Sequence, residues 1–187
     1  MNNKELHQMT PAELGKLFPI IISDYDENWP CQFEKEKTRI CNRFKAAEIV
    51  RVEHIGSTAV KGLKAKPTID ILLEVSEQIK DDYIILQLKS LGYQFIAKPE
   101  NPPPHMLFVK GYTAKGFKGQ TFHIHVRYPG DQDEIYFRDY LQKNQPAAQD
   151  YEKLKLRLAK KYKNDRDGYT NAKTDFIKGI VKLVRTT

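Results

Sequence analysis

The sequence predicts an α+β fold: a small mixed β-sheet flanked by helices, with a C-terminal helical bundle packed on it. Three observations predict it. Short β-prone runs, many rich in β-branched residues, fall at 50–55, 67–75, 93–97, 106–112 and 121–128, separated by glycine, proline and polar turns. Apolar residues at helical spacing dominate the two flanks, around 29–44 and throughout 135–184. No internal repeat or low-complexity linker interrupts the 187 residues, so one domain with a real core is the economical organisation. That domain spans 1–187, with an N-terminal helical extension at 1–22 and the C-terminal helices at 133–187.

In chain order, Thr10-Pro11-Ala12-Glu13 opens the first helix. Thr10 is a capping residue, Pro11 suits the first turn and Glu13 completes a capping box. Ile20-Ile21-Ile22 is a short β-prone run. Asn28-Trp29-Pro30 starts a longer helix whose buried stripe is Trp29, Phe33, Ile40 and Phe44. A strand at 50–55 ends in a Gly-Ser-Thr turn, and 59–63 reads as one or two helical turns. The strand at 67–75 is followed by a helix at 76–91 that stops at Gly92, a C-terminal capping glycine. Asn101-Pro102-Pro103-Pro104 forms a stiff loop, because each proline fixes φ and removes a donor. Residues 113–120 join the strands at 106–112 and 121–128, which are expected to pair antiparallel across so short a connection. Helices follow at 135–143, 146–163 and 169–184, with a turn at 165–168.

Composition sets limits on function. Hydrophobic residues make up 40% and charged residues 29%, and no apolar run approaches the ~20 residues that span a bilayer. No membrane partner is expected, and with no apolar signal core behind Met1 the expected location is cytoplasmic. Cys31 and Cys41 fall ten residues apart in one predicted helix, roughly 15 Å along its axis, beyond the ~7 Å reach of a disulfide. The formal charge of +7 is concentrated: residues 151–187 hold 11 Lys/Arg against 4 Asp/Glu. This excess reads either as a solvated basic helical face or as an attractive surface for a polyanion such as RNA or a nucleotide. No recognised nucleic-acid motif favours the second.

The chemistry concentrates in His54-Ile55-Gly56-Ser57-Thr58-Ala59-Val60, followed by Lys66-Pro67-Thr68-Ile69-Asp70-Ile71. A glycine at a strand end lets a phosphate approach the backbone. Ser57 or Thr58 then caps a short helix whose free amides favour an anion. Asp70 stands in an apolar strand, where a carboxylate is costly unless it is paired or meets a metal. The alternative is a plain strand–turn–helix with Asp70 bonded to a loop. Lys66 either meets phosphate or is an ordinary solvated lysine. In Phe122-His123-Ile124-His125-Val126-Arg127, apolar and polar residues alternate, so His123 and His125 share a strand face with Cα atoms ~7 Å apart. That spacing suits chelation of a transition metal, or simply two solvent-facing imidazoles. His54 is a further candidate metal ligand, and alternation puts Glu53 on the face opposite to it. Arg138 and Asp139 read as a structural ion pair.

These blocks, with Asp26, Trp29-Pro30, Glu53, Gly62-Leu63, Leu91-Gly92-Tyr93, Phe137-Arg138-Asp139-Tyr140-Leu141 and Tyr169, resemble the GrpB family, placed in the polymerase-beta-like nucleotidyltransferase superfamily. The resemblance covers roughly residues 23–180. It implies a nucleotidyltransferase-like fold and transfer of a nucleoside monophosphate from a nucleoside triphosphate to an unknown acceptor. Gly56, Ser57 and Thr58, with Lys66, would hold phosphates. Asp70, His123 and His125 would form the catalytic centre, holding Mg²⁺ or Mn²⁺, or a transition metal with His54 as a further ligand. The sequence departs from the superfamily pattern at one point. Two residues beyond Asp70 stands Leu72, and two before it Thr68, so the usual strand pair of acids is incomplete. Glu74 shares the face but lies ~13 Å along the strand. A metal-dependent hydrolase or phosphoesterase, and an inactive nucleotide-binding module, therefore stand as alternatives.

Overall fold

The computed structural model describes residues 5–97 and 105–186; the proline loop expected at 101–104 lies outside the described residues. Five strands, β1 (Ile49–Ile55), β2 (Thr68–Val75), β3 (Gln94–Ile96), β4 (Met106–Thr113) and β5 (Gly116–Arg127), form one sheet in the order β1-β2-β5-β4-β3. β2 and β5 run parallel, and every other neighbouring pair is antiparallel. A parallel pair needs a long crossover. Here it consists of α3 (Asp81–Ser90) and the β3–β4 pair.

The helices follow from local signals. α1 (Pro11–Leu17) starts at the expected capping box: the Thr10 hydroxyl accepts from the Glu13 amide, and Glu13 accepts from the Thr10 amide. α2 (Trp29–Cys41) buries Trp29, Phe33 and Ile40, with Phe44 just beyond its end. Cys31 and Cys41 are both free. α3 begins five residues later than its apolar pattern suggested, because 76–80 form a turn, and Gly92 follows it at φ +86°.

Several local expectations are corrected. Ile20 to Ile22 form no strand: the Ile20 amide bonds the Lys163 carbonyl, and a lone bridge joins Ser23 to Ala65. The expected helix at 59–63 is a 3-10 turn over Ser57–Ala59. The connection between β4 and β5 is a tight hairpin, because 116–120 belong to β5 and Thr113 already pairs with Gly116. Residues 165–168 are not a separate turn. Asp165 caps α6 (Arg166–Asn171), and the expected last helix is broken at Ala172-Lys173 before α7 (Thr174–Thr186). α4 (Asp133–Lys143) and α5 (Gln145–Lys161) lie close to expectation.

Period-two alternation divides the sheet into two faces. One face, carrying Val52, Ile69, Ile71, Leu73, Phe122, Ile124 and Val126, packs against α2 and α3 in the main core. The opposite face carries the polar residues and meets the C-terminal helices. There Ile135 of α4 covers Ile55 and Leu72. A second core, built around Val60, Leu63, Phe137, Tyr151 and Ile180, ties α4, α5 and α7 to the turn after β1. No helix among the described residues is long and apolar enough to cross a membrane.

Candidate functional site

The register decides which candidates meet. Asp70 pairs with Ile55 on one side and His123 on the other, and His125 lies one pleat further along β5. Asp70, His123 and His125 therefore share the face under the C-terminal helices. Asp70 Oδ1 lies 3.3 Å from His123 Nδ1 and 3.6 Å from His125 Nε2. All three side chains are partly buried, and one ligand atom from each lies within 4.8 Å of the others. That grouping fits a single ion with one carboxylate and two imidazole donors.

His54 does not join them. It pairs with Ile71 on the other face, stacks on Phe33 with ring centroids 4.8 Å apart, and reaches the Thr58 hydroxyl at 2.9 Å. Burial pushes its pKa down to about 4, against a smaller upward pull from Asp70. Thr58 is buried as well, its hydroxyl donating to the Thr68 carbonyl at 3.2 Å. Both side chains are structural pins beneath the turn rather than groups offered to a ligand. Glu53, on the face opposite His54 as alternation required, is held by Arg138 at 2.7 Å; Arg138 also bonds Asp139 at 2.8 Å.

Gly56 and Ser57 do reach the cleft. Gly56 sits at φ +71°, ψ −169°, and its own backbone caps the 3-10 turn, without the side-chain cap expected from Ser57 or Thr58. A Cβ at this position would lie 2.6 Å from Asp70 Oδ2. Glycine here thus serves a backbone geometry other residues resist and the close passage of the turn over the carboxylate.

Electrostatics follow from the geometry. Burial works against charge on Asp70, but hydrogen bonds and charge from His123 and His125 outweigh it and hold the carboxyl well below the usual range. Burial holds His123 down to about 4, although Asp70 pulls upward. His123 Nε2 meets the Tyr112 hydroxyl at 2.9 Å, and Arg166 reaches that hydroxyl at 3.2 Å. With Nδ1 facing Asp70 and Nε2 facing Tyr112, both ring nitrogens are engaged and the imidazole plane is set. Lys66 lines the cleft half-buried; burial, then Arg166, lowers its pKa to about 7. Tyr151, buried beside Ser57, is raised by burial, with a Ser57 hydrogen bond opposing.

The cleft that these residues share has a volume of about 1930 Å³. A shallower hollow of about 630 Å³ over Lys153, Arg157 and Lys160 lies on the outer side of α5, away from this chemistry.

A profile for GrpB protein matches residues 19–183. The chain belongs to the GrpB family. It is 36% identical over 167 residues to the glutamate-rich protein GrpB of Alkalihalophilus pseudofirmus, covering 87% of this chain and 94% of that one. A UPF0157 protein of Pseudomonas aeruginosa is 39% identical over 158 residues, covering 83% of this chain and 64% of that protein. The crystal structure of a conserved GrpB protein from Enterococcus faecalis superposes with a TM-score of 0.75 at 32% identity, covering 88% of this chain and 96% of that one.

Sequence reasoning missed three residues of the GrpB cleft: Tyr112, Arg166 and Lys173. Tyr112 looked like an ordinary strand aromatic, and nothing in its spacing marks it as the partner of His123. Arg166 and Lys173 belong to the basic C-terminal excess, but a count of charges does not say which cations turn inward.

Proposed function

We propose that this GrpB protein is a metal-dependent nucleotidyltransferase-like enzyme, transferring a nucleoside monophosphate from a nucleoside triphosphate to an acceptor that supplies the attacking oxygen. The observation that carries the reading is the convergence of Asp70, His123 and His125 around one point, directly beside the Gly56-Ser57 turn. Such a turn accepts phosphate oxygens close to its backbone.

Asp70, His123 and His125 would hold the ion, and the imidazole donors suit Mn²⁺ or another transition ion better than Mg²⁺. When bound, it supplies charge neutralisation at the phosphates. Among the described residues, the strand positions beside Asp70 do not suit a second ion: Leu72 is fully buried under Ile135, and Glu53 is held by Arg138. In the transfer, the acceptor oxygen bonds to the α-phosphorus, the α–β anhydride bond breaks, and pyrophosphate leaves with the electron pair. The acceptor's proton passes to water in the cleft, because Asp70, His123 and His125 would all be engaged with the ion. Gly56 and Ser57 orient the phosphate oxygens, and Tyr112 holds the His123 ring.

The test is pyrophosphate release from each common nucleoside triphosphate, with Mn²⁺ or Mg²⁺ and a panel of hydroxyl acceptors. Release that disappears in Asp70→Asn supports the proposal. Nucleotide affinity in the presence of metal that is unchanged by Asp70→Asn would count against it. The two-imidazole, one-carboxylate donor set also favours a second reading, a transition-metal hydrolase or phosphoesterase. Stoichiometric zinc, manganese or iron retained in untagged protein, with phosphoester cleavage and no nucleotidyl transfer, would select it. Nucleotide binding without turnover would mark an inactive binding module.

A further inference from the structure

We propose that Lys66, Arg166 and Lys173 form a seat for a triphosphate chain, contributed mainly by the C-terminal helices and able to bind its ligand without the metal. The identity of the ligand rests on the nucleotide reading above; the seat itself rests on its own geometry.

The three cations come from separate places: Lys66 from the segment before β2, Arg166 from the start of α6, and Lys173 from the break between α6 and α7. All three line the cleft that holds Asp70, and all three are half-buried. Among the described residues, none of them has a carboxylate within ion-pair distance. What fixes them is uncharged. Arg166 donates to the Phe18 carbonyl at 3.0 Å and to the Tyr112 hydroxyl at 3.2 Å, and Lys173 lies over the Tyr169 ring, 4.4 Å from its centroid. Asp165 and Asp167, the acids of the same helix, are exposed, and Asp165 is engaged in capping α6 through Gly168.

Partly buried cations without acidic partners cost free energy. The charges acting on Lys66 are Arg166 and Lys173, which repel it, and Asp70, which attracts it. Asp70 also acts on Lys173. Burial lowers the pKa of Lys66 and of Lys173, and an arriving anion favours their charged forms beside the permanent cation Arg166. A chain of phosphates carries several negative charges at the spacing of such side chains and offers each cation a charge-assisted bond. Lys173 stands in the break between α6 and α7 and lines this edge of the cleft.

The experiment is calorimetric titration of the full chain with tripolyphosphate and, separately, with ATP, both in EDTA. Lys66→Gln and Lys173→Gln are each expected to weaken binding about tenfold, the loss of one charge-assisted contact. Lys160→Gln, on the exposed side of α5, is expected to bind as the wild type does. Asp70→Asn is expected to tighten binding in EDTA, because Asp70 is the acid whose charge acts on both Lys66 and Lys173. Circular dichroism and thermal melts confirm that each variant is folded. ATP binding as tightly as tripolyphosphate assigns the chain to a nucleotide. Binding of tripolyphosphate alone would keep the seat and overturn the nucleotidyltransferase reading. Absence of wild-type binding at millimolar tripolyphosphate, or wild-type affinity in folded Lys66→Gln and Lys173→Gln, would overturn the seat itself.

Discussion

Gly56→Ala probes the turn and the carboxylate together. The added Cβ would stand 2.6 Å from Asp70 Oδ2 and 3.2 Å from Asp70 Cβ and Cγ. Ordinary contact begins near 3.4 Å, so the carboxylate or the turn must move by about 0.8 Å. The backbone adds its own cost, because φ +71° with ψ −169° is a region essentially reserved for glycine, worth about 1–3 kcal/mol. Crowding in a packed site costs a further ~1–3 kcal/mol. The expected loss of stability is therefore about 2–6 kcal/mol, read as a shift in the urea midpoint at unchanged slope. The displaced carboxylate is one of three donors, so Mn²⁺ or Zn²⁺ affinity, measured by titration on the folded fraction, is expected to fall at least about tenfold. Wild-type stability together with wild-type metal affinity would refute the argument, since it would mean that the turn does not press on Asp70.

Tyr112→Phe removes the hydroxyl between His123 and Arg166; metal affinity is expected to drop about tenfold with a stability loss near 1 kcal/mol, and an unaltered metal titration would show that the ring does not need this partner. Leu72→Asp restores the missing acid of the strand pair, but the position is fully buried beneath Ile135, so the expected result is a loss of at least about 3 kcal/mol in chemical denaturation rather than a second ion site. His54 supplies a pH test. Its folded pKa, held at about 4 by burial, lies below the unfolded value near 6.5, so the unfolded chain binds more protons between those limits. Stability is thus complete above pH ~6.5 and falls as pH drops towards ~4; at pH ~4.5 the loss due to this one group is about 2–3 kcal/mol. His54→Gln is expected to flatten the profile by that amount, and an equal change in unfolding free energy between the two pH limits in variant and wild type, from urea melts, would disprove it.

Much of the fold was legible because its signals are local. Trp29, Phe33 and Ile40 recur at helical spacing and do form one buried face. The Thr10–Glu13 box does start α1. Asp70 and the histidine pair were recognisable as polar residues set at period two in apolar strands. The misses have physical causes too. A break such as that at Ala172-Lys173 leaves no mark when apolar residues continue in step on either side. The β4–β5 connection, expected over 113–120, is shorter than that because Gly116 and Gly119, which read as loop residues, sit inside β5.

The sequence by itself determined most of the secondary elements, the alternation of each strand and the family, since each is written in spacing between near neighbours or in motif identity. Only the tertiary structure decided which alternating faces coincide. Strand register set Asp70 beside His123 and sent His54 to the opposite face, against Phe33. The path of the C-terminal helices decided that Arg166 and Lys173 line the cleft while Lys160 faces outward. Side chains more than forty residues apart meet through register and packing, and neither quantity is carried by any local stretch of sequence.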